Sequence, residues 1–347
     1  MEIRSVQLTG GSSYVITLPK EWVKSSNIKK NDSLGIHIQN DGTLLITPKI
    51  TEEHIQKIKR FDITNIQKQS YLMRHLIAAY IAGYTMIEVF STQRISPQYR
   101  STIREFTQLT IGQEIVEETD TSIILKDLLN PVEMPFDRTI KRMHIIVKGM
   151  HDDTVRSLKT QDKNLAKDII TRDNEVDRLH WLIARQYNSI MQNMSLSEKM
   201  NTTIELSSTY FLISRIIERI GDHVVKIANN ILSFEEISDN SEIISKISTA
   251  SNKAQEIFTQ SINSFFRKDI KSSNENIETV ETLHTLCEEI DKLALQQKGP
   301  LAISIGNIVE SIRRIGEYAE DISEHIINYL IDIDKKLKIL AENKTDS

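Results

Sequence analysis

The chain has 347 residues, of which 39% are hydrophobic, and a formal net charge of −5. That length is enough for two or three domains with cores of their own. A mildly acidic balance gives no global attraction to nucleic acid or an anionic membrane, so any contact with DNA has to come from a local patch.

Residues 1–50 differ in pattern from the rest. Ile3, Val6 and Leu8 predict one strand and Tyr14 to Leu18 another, with Gly10-Gly11-Ser12-Ser13 as the turn between them. Pro19 opens a short helix as a first-turn residue. Asn31-Asp32 reads as a turn. Leu34, Ile36 and Ile38 alternate, Asn40-Asp41-Gly42 predicts a hairpin turn, and Leu44 to Ile46 returns. So small a β-β-α-β-β unit buries little alone and gains by dimerising. It holds Arg4, Lys20, Lys24, Lys29, Lys30 and Lys49 against Glu2, Glu21, Asp32 and Asp41, a slight positive balance in an acidic chain. Doubled in a dimer, such a patch can meet DNA phosphates; taken singly, these are ordinary surface charges.

Residues 51–130 alternate in type and predict a small α/β domain. Asn65 to Ala82 reads as a helix stopped by Gly83, and Thr85 to Phe90 as a strand. A helix starts at Ser96-Pro97 and runs to about Leu109. Glu114–Glu118 and Ser122–Lys126 form a predicted hairpin. The longest apolar patch, Leu76 to Gly83, is far short of the ~20 residues a bilayer span needs.

From about Met134 to Ile339 the pattern is helical. Breaks are predicted near Gln161–Lys163, Asn193–Ser197, Ser233–Asn240, Ser272–Asn276 and Gln297–Pro300, which divides the region into bundles at 131–233 and 241–340 with a frayed tail from Glu342. The two bundles say one thing twice. Arg219-Ile220-Gly221-Asp222 overlays Arg314-Ile315-Gly316-Glu317. In the same register, Ile213, Ile217, Ile220, Val224, Ile227 and Ile231 overlay Ile308, Ile312, Ile315, Ala319, Ile322 and Ile326. Upstream, Glu175 to His180 overlays Thr279 to His284, with Val176, Leu179 and Ile183 against Val280, Leu283 and Cys287. Such stripes predict buried helix faces, and their recurrence predicts a duplicated unit. Cys287, the one cysteine, falls on such a stripe and can form no internal disulfide. With no apolar signal core at Met1 to Gly11, this predicts a soluble, cytoplasmic protein with no membrane insertion.

Acids four apart recur on these helices: Asp173 and Asp177, Glu218 and Asp222, Glu317 and Asp321, Glu320 and Glu324. One turn apart, each pair presents two carboxylates on one face, and their repulsion is relieved by a cation. Oxygen-only ligands suit Mg, Mn or Fe. The alternative is a solvated face balanced by Arg172, Arg178, Arg219 and Arg314. The second copy is degenerate, with Arg313 in the place of Glu218 and Ile277 in the place of Asp173, so if only one bundle holds a metal, it is expected to be the first. Gly221 and Gly316 cost a helix roughly 1 kcal/mol each relative to Ala, which predicts close approach of a neighbouring helix. His180, His223 and His284 are weaker ligand candidates, and packing or a hydrogen bond between helices is their expected role. No Walker loop, Gly-x-Gly-x-x-Gly, Gly-x-Ser-x-Gly, Cys-x-x-Cys or His-Glu-x-x-His is present, so catalysis has little support and a non-enzyme is expected.

Two resemblances follow from these residues. Thr9 to Lys20, Trp22 and the Asn31-Asp32 turn resemble the SpoVT/AbrB-like swapped-hairpin family. That implies an intertwined homodimer that binds DNA, with Arg4, Lys20 and Lys24 as first candidates for DNA contact and Lys29 and Lys30 next. The duplicated bundle resembles the PhoU family of phosphate-uptake regulators, through Asp173-x-x-x-Asp177, Glu218-x-x-x-Asp222 and, in part, Glu317-x-x-x-Asp321. The PhoU resemblance implies iron, zinc or another ion at these acids, and control of phosphate uptake through a phosphate transporter ATPase or its kinase partner. A swapped-hairpin head joined to two such bundles resembles the archaeal version. The expected whole is a β-rich head, a small α/β middle domain and tandem three-helix bundles. It is expected to act as a phosphate-responsive DNA-binding regulator, with a non-DNA-binding adaptor as the alternative and a carboxylate-metal enzyme as the third reading.

Overall fold

The computed structural model describes residues 2–38, 42–48, 57–66, 68–193, 195–233, 241–297 and 299–345. Asn40, Asp41, Lys49 and the predicted break at 234–240 lie outside them. The chain divides into two compact units, Met1–Ile55 and Gln56–Ser347.

The first unit is two antiparallel hairpins and one helix. Strands β1 (Gln7–Thr9) and β2 (Ser13–Val15) pair around Gly10 and Gly11, whose φ angles of 66° and 87° suit a residue without Cβ. Both strands are shorter than the apolar pattern predicted. Helix α1 (Lys20–Ser25) starts one residue later than expected, with Pro19 as its N-cap. Strands β3 (Gly35–Ile38) and β4 (Leu44–Thr47) pair with Ile36 opposite Ile46. None of the described residues of this unit is buried. Several of its apolar residues face outward instead: Ile3 is 85% exposed, Tyr14 78% and Ile38 77%.

The second unit opens with a four-stranded sheet in the order β5-β6-β8-β7. Strand β5 (Ile58–Asp62) runs parallel to β6 (Met86–Phe90), joined by helix α2 (Gln69–Ile81). Helix α2 begins later than predicted, at Gln69, and Gly83 follows it at φ 79°. Helix α3 (Pro97–Leu109) carries the predicted Ser96 cap, whose hydroxyl accepts from the Tyr99 N–H. Strands β7 (Gln113–Glu118) and β8 (Ser122–Asp127) close the sheet as an antiparallel hairpin. Ile87, Val89, Ile123 and Leu125 pack with Leu72, Leu76, Tyr80, Ile103 and Phe106 as one core.

The helical part holds α4 (Phe136–Thr160), α5 (Lys163–Gln192), the short α6 (Ser195–Lys199), α7 (Ile204–Leu232), α8 (Ser241–Arg267), α9 (Ile270–Ala294) and α10 (Pro300–Thr345). Every residue of the duplicated stripes is at most 3% exposed, and each fully buried Ile contributes about 1.5–3 kcal/mol relative to exposure. Gln161 turns the chain at φ 57°, where the break was predicted. The break predicted at Ser272–Asn276 is wrong. It falls earlier, at Lys268-Asp269, because Asp269 caps α9 by accepting from the Ser272 N–H and hydroxyl. The polar run that reads as a loop is the first turn of a helix. Helix α10 runs on through Thr345, past the predicted fraying point.

The sheet domain sits on α5 through polar contacts. Asn188 donates to the carbonyl of Ile81 at 3.0 Å, and Arg185 to that of Tyr80 at 2.6 Å. Lys57 Nζ donates to the Ala82 carbonyl at 2.7 Å. These groups satisfy the orphan carbonyls at the end of α2. Arg185 also pairs with Asp127, and both side chains are under 10% exposed.

Candidate functional site

Helices α5 and α7 lie against each other in the first bundle, and their acids meet. Burial first, then the charges of Asp177, Asp222 and Glu218, push the Asp173 carboxyl up to about 7. Burial and Asp222 push Asp177 up to about 6. Glu218 is raised too, chiefly by burial, with Arg215 pulling it back. Asp222 stands at the exposed rim. The four predicted first-bundle acids therefore share one half-buried patch.

Gly221 makes room for it. A Cβ there would stand 3.0 Å from Asp173 Oδ1 and 3.7 Å from Val176. The close approach of a neighbouring helix was predicted, and the group nearest the glycine is a carboxylate. Asp173 Oδ1 and Glu218 Oε2 are both buried without a hydrogen-bond partner, a state that costs free energy unless something fills it.

The arginines expected to neutralise this face are engaged elsewhere. Arg172 binds Asp153 and Asp168, Arg178 reaches the Thr110 carbonyl at 3.5 Å, and Arg219 lies over the Tyr318 ring. The Arg215 guanidinium lies 3.5 Å from Glu218, and the charge of Arg219 also pulls that carboxyl down. The spacing of Arg215 from Glu218, three residues along one helix, was available in the sequence as a pairing signal. His180 bonds Ser214 across the two helices at 3.0 Å, the packing role expected of it.

The second copy is built differently. Glu317 accepts from Arg314 at 2.9 Å and lies 3.5 Å from His284. Asp321 is exposed, and its carboxyl is raised by burial and by Glu324. Arg313, in the place of Glu218, binds Asp291 at 2.7 Å and Glu310 at 2.6 Å. A Cβ at Gly316 would strike the side chain of Leu283, not a carboxylate.

Carboxylate oxygens, two of them unpartnered, are the donor type that a hard cation takes. Among the described residues, no group of three or more His, Cys, Asp or Glu side chains is placed to hold a metal ion. An ion would have to draw the carboxylates inward.

In the first unit, Arg4, Lys20, Lys24, Lys29 and Lys30 are all exposed. Lys20 and Lys24 are one turn apart on α1. The Arg4 guanidinium is held by Glu2 at 2.5 Å.

The PhoU domain family matches residues 140–231 and 247–326, one match on each bundle. The chain is a two-PhoU-domain protein. Its head matches the family described as antidote-toxin recognition MazE, bacterial antitoxin, over residues 7–53, where the swapped-hairpin resemblance was seen. A Thermotoga maritima protein named phosphate-specific transport system accessory protein PhoU homolog 1 is 20% identical over 206 residues, 57% of this chain and 86% of that one. The crystal structure of PhoU from Pseudomonas aeruginosa overlays 57% of this chain and 95% of its own with a TM-score of 0.51 at 18% identity, which is a likeness of fold. PhoU from Streptococcus pneumoniae covers 56% of this chain and 92% of its own at 15% identity, with a TM-score of 0.49. Among the described residues, no helix is long and apolar enough to cross a membrane.

Proposed function

We propose that this chain is a phosphate-responsive regulator without catalytic activity, acting in the cytoplasm. Its head dimerises and binds DNA, and its PhoU domains control phosphate uptake, through a divalent cation at the first-bundle acids or through a phosphate transporter ATPase or kinase. The observation that carries this reading is the union in one chain of a MazE-like head with two PhoU domains. The exposed apolar residues of the head support a dimer, because a second copy would cover Ile3, Tyr14, Ile36 and Ile38. The exposed Lys20, Lys24, Lys29 and Lys30 would then be doubled on one assembly. The cation, whether Mn, Fe, Zn or Mg, would offset the carboxylate repulsion around Asp173.

An anisotropy titration with the promoter of a phosphate-transport operon at two salt concentrations tests the DNA half. Phosphate contacts make affinity fall steeply with salt, with a slope of about −0.9 per contact. Salt-sensitive binding that weakens in Lys20→Ala/Lys24→Ala is the expected result. No binding at low salt rejects this half of the reading.

The second reading is an adaptor whose head only dimerises. The Arg4–Glu2 pair favours it, since the one arginine of the head is already neutralised. Recovery of a transporter ATPase by a chain lacking residues 1–50 would support it.

A further inference from the structure

The middle domain carries a surface that the regulator reading leaves unused. Strand β5 is an edge strand. Its side chains alternate, so Lys59 and Phe61 share the face of α2 while Arg60 and Asp62 point to the other side. The Phe61 ring stacks on His75 of α2, with centroids 5.6 Å apart and planes 12° apart. Lys59 Nζ lies 5.6 Å from the Phe61 ring centre and 5.9 Å from that of Tyr84. Lys57 Nζ lies 4.4 Å over Tyr84. At the other end of α2, Lys68 Nζ is 5.7 Å from the Tyr71 ring. Cations and rings thus alternate along the length of α2, which is ~20 Å at 1.5 Å per residue.

Among the described residues, the charges gathered along α2 have one sign. Helix α2 contains no acidic residue, and Arg74 adds another exposed cation. Among the described residues, Asp62 accepts from Thr64, and Glu88 pairs with Arg60 at 2.5 Å. This occurs in a chain whose net charge is −5. Tyr71 is 46% exposed, and Arg74 and His75 are exposed beside it. Cations spaced for a phosphate backbone, interleaved with rings that present π-faces, are the two elements of sequence-tolerant single-strand binding. A bare polyanion would use the lysines but not the rings.

We infer that the α2–β5 face of the middle domain binds single-stranded nucleic acid, with Lys59 on phosphates and Phe61, His75 and Tyr84 against bases. The site is separate from the head and does not depend on the head binding DNA.

The test is fluorescence anisotropy of a short labelled oligothymidylate with the full-length chain at several salt concentrations. Lys59→Ala is expected to weaken binding and to flatten the salt slope by about 0.7, the value of one single-strand phosphate contact. His75→Ala, a surface change that spares the core, is expected to weaken binding about five-fold or more, the lower end of one base stack. The head variant Lys20→Ala/Lys24→Ala should leave oligothymidylate affinity unchanged even if it abolishes promoter binding, which separates this proposal from the regulator reading. Circular dichroism confirms that each variant is folded. Three outcomes overturn the proposal: no binding by the wild-type chain at low salt, unchanged affinity in both Lys59→Ala and His75→Ala, or displacement by polyglutamate as effective as by unlabelled oligonucleotide. The last would assign the face to acidic protein partners instead.

Discussion

The two PhoU domains of this chain share a helical frame and differ in what the frame holds. At one pair of equivalent positions, Gly221 admits a carboxylate and Gly316 admits a leucine side chain. At another, Glu218 is buried with an unpartnered oxygen while Arg313 closes two ion pairs. At a third, Arg185 on α5 grips the middle domain, and its counterpart Glu289 on α9 is a surface acid paired with Lys246. Duplication kept the apolar stripes, which both copies need to fold. It left the polar positions free to diverge, so that the first copy carries strained charge and a docked domain while the second is neutralised within itself.

The sharpest break in this comparison is expected at Arg185. Arg185→Met leaves Asp127 buried without its partner and frees the Tyr80 carbonyl, a loss of about 3–5 kcal/mol. The matching change Glu289→Met removes only an exposed pair and should leave stability close to wild type. Amide hydrogen exchange at the end of α2 measures the difference locally. Equal protection in the two variants would show that the middle domain is held by its apolar core alone.

Next in size is the response to a cation. If the first patch binds one, stability rises by about 2.7 kcal/mol at a concentration 100 times the dissociation constant. Thermal melts with added manganese should show the rise in the wild-type chain and in Glu317→Gln/Asp321→Asn, and lose it in Asp173→Asn/Asp177→Asn. A rise that survives in the first-bundle variant would move the site elsewhere.

Where the two copies face each other, stability should depend on pH. On α4, His144 packs edge-on against Phe258 of α8, and His151 bonds Ser251 of α8 at 2.6 Å. Burial holds both imidazoles down at about 4, with Lys148 adding to this and Asp152 opposing it at His151. Their folded values lie below the ordinary 6.5, so the unfolded chain takes up protons first. Their contribution is whole above pH 6.5 and is lost as pH falls toward 4. For the fully buried His151 that is on the order of 2 kcal/mol between pH 7 and 5. His151→Gln should flatten the acid limb of a urea-melt series, and an unchanged limb would place the acid sensitivity at other groups.

Much of this contrast was legible in the sequence because it is written in local periods. The stripes from Ile213 to Ile231 and from Ile308 to Ile326 announce buried faces by spacing alone, and acids one turn apart announce shared faces. What failed to show was pairing between elements. Arg185 reads as one more surface charge on a polar face, since nothing near it in the chain says that Asp127 lies opposite. Arg172 and Arg178 read as neutralisers of neighbouring acids, yet long side chains turned to partners 19 and 68 residues away. Ser272 and Ser273 read as a loop because polar runs serve both as loops and as caps. The cationic strip on α2 was missed for a further reason: its lysines and rings come from β5, α2 and the segments flanking them, so no short window contains the pattern.

The smallest expected effect gives the finest test of divergence between the copies. Alanine at a helical glycine gains roughly 1 kcal/mol in helix propensity. At Gly316 the new methyl would collide with Leu283, which is packed in a core that cannot yield freely, so overpacking of about 1–3 kcal/mol should outweigh the gain. At Gly221 the neighbour at 3.0 Å is a carboxylate oxygen on a rotatable bond, which can swing toward solvent. Gly221→Ala should therefore be within ~0.5 kcal/mol of wild type, while Gly316→Ala is clearly destabilised in urea melts. The displaced Asp173 predicts a second signature: Gly221→Ala should blunt the manganese-induced rise that Gly316→Ala retains. If both glycine variants lose stability equally and neither alters the manganese response, the first copy's glycine serves helix packing alone, and the carboxylate beside it is incidental.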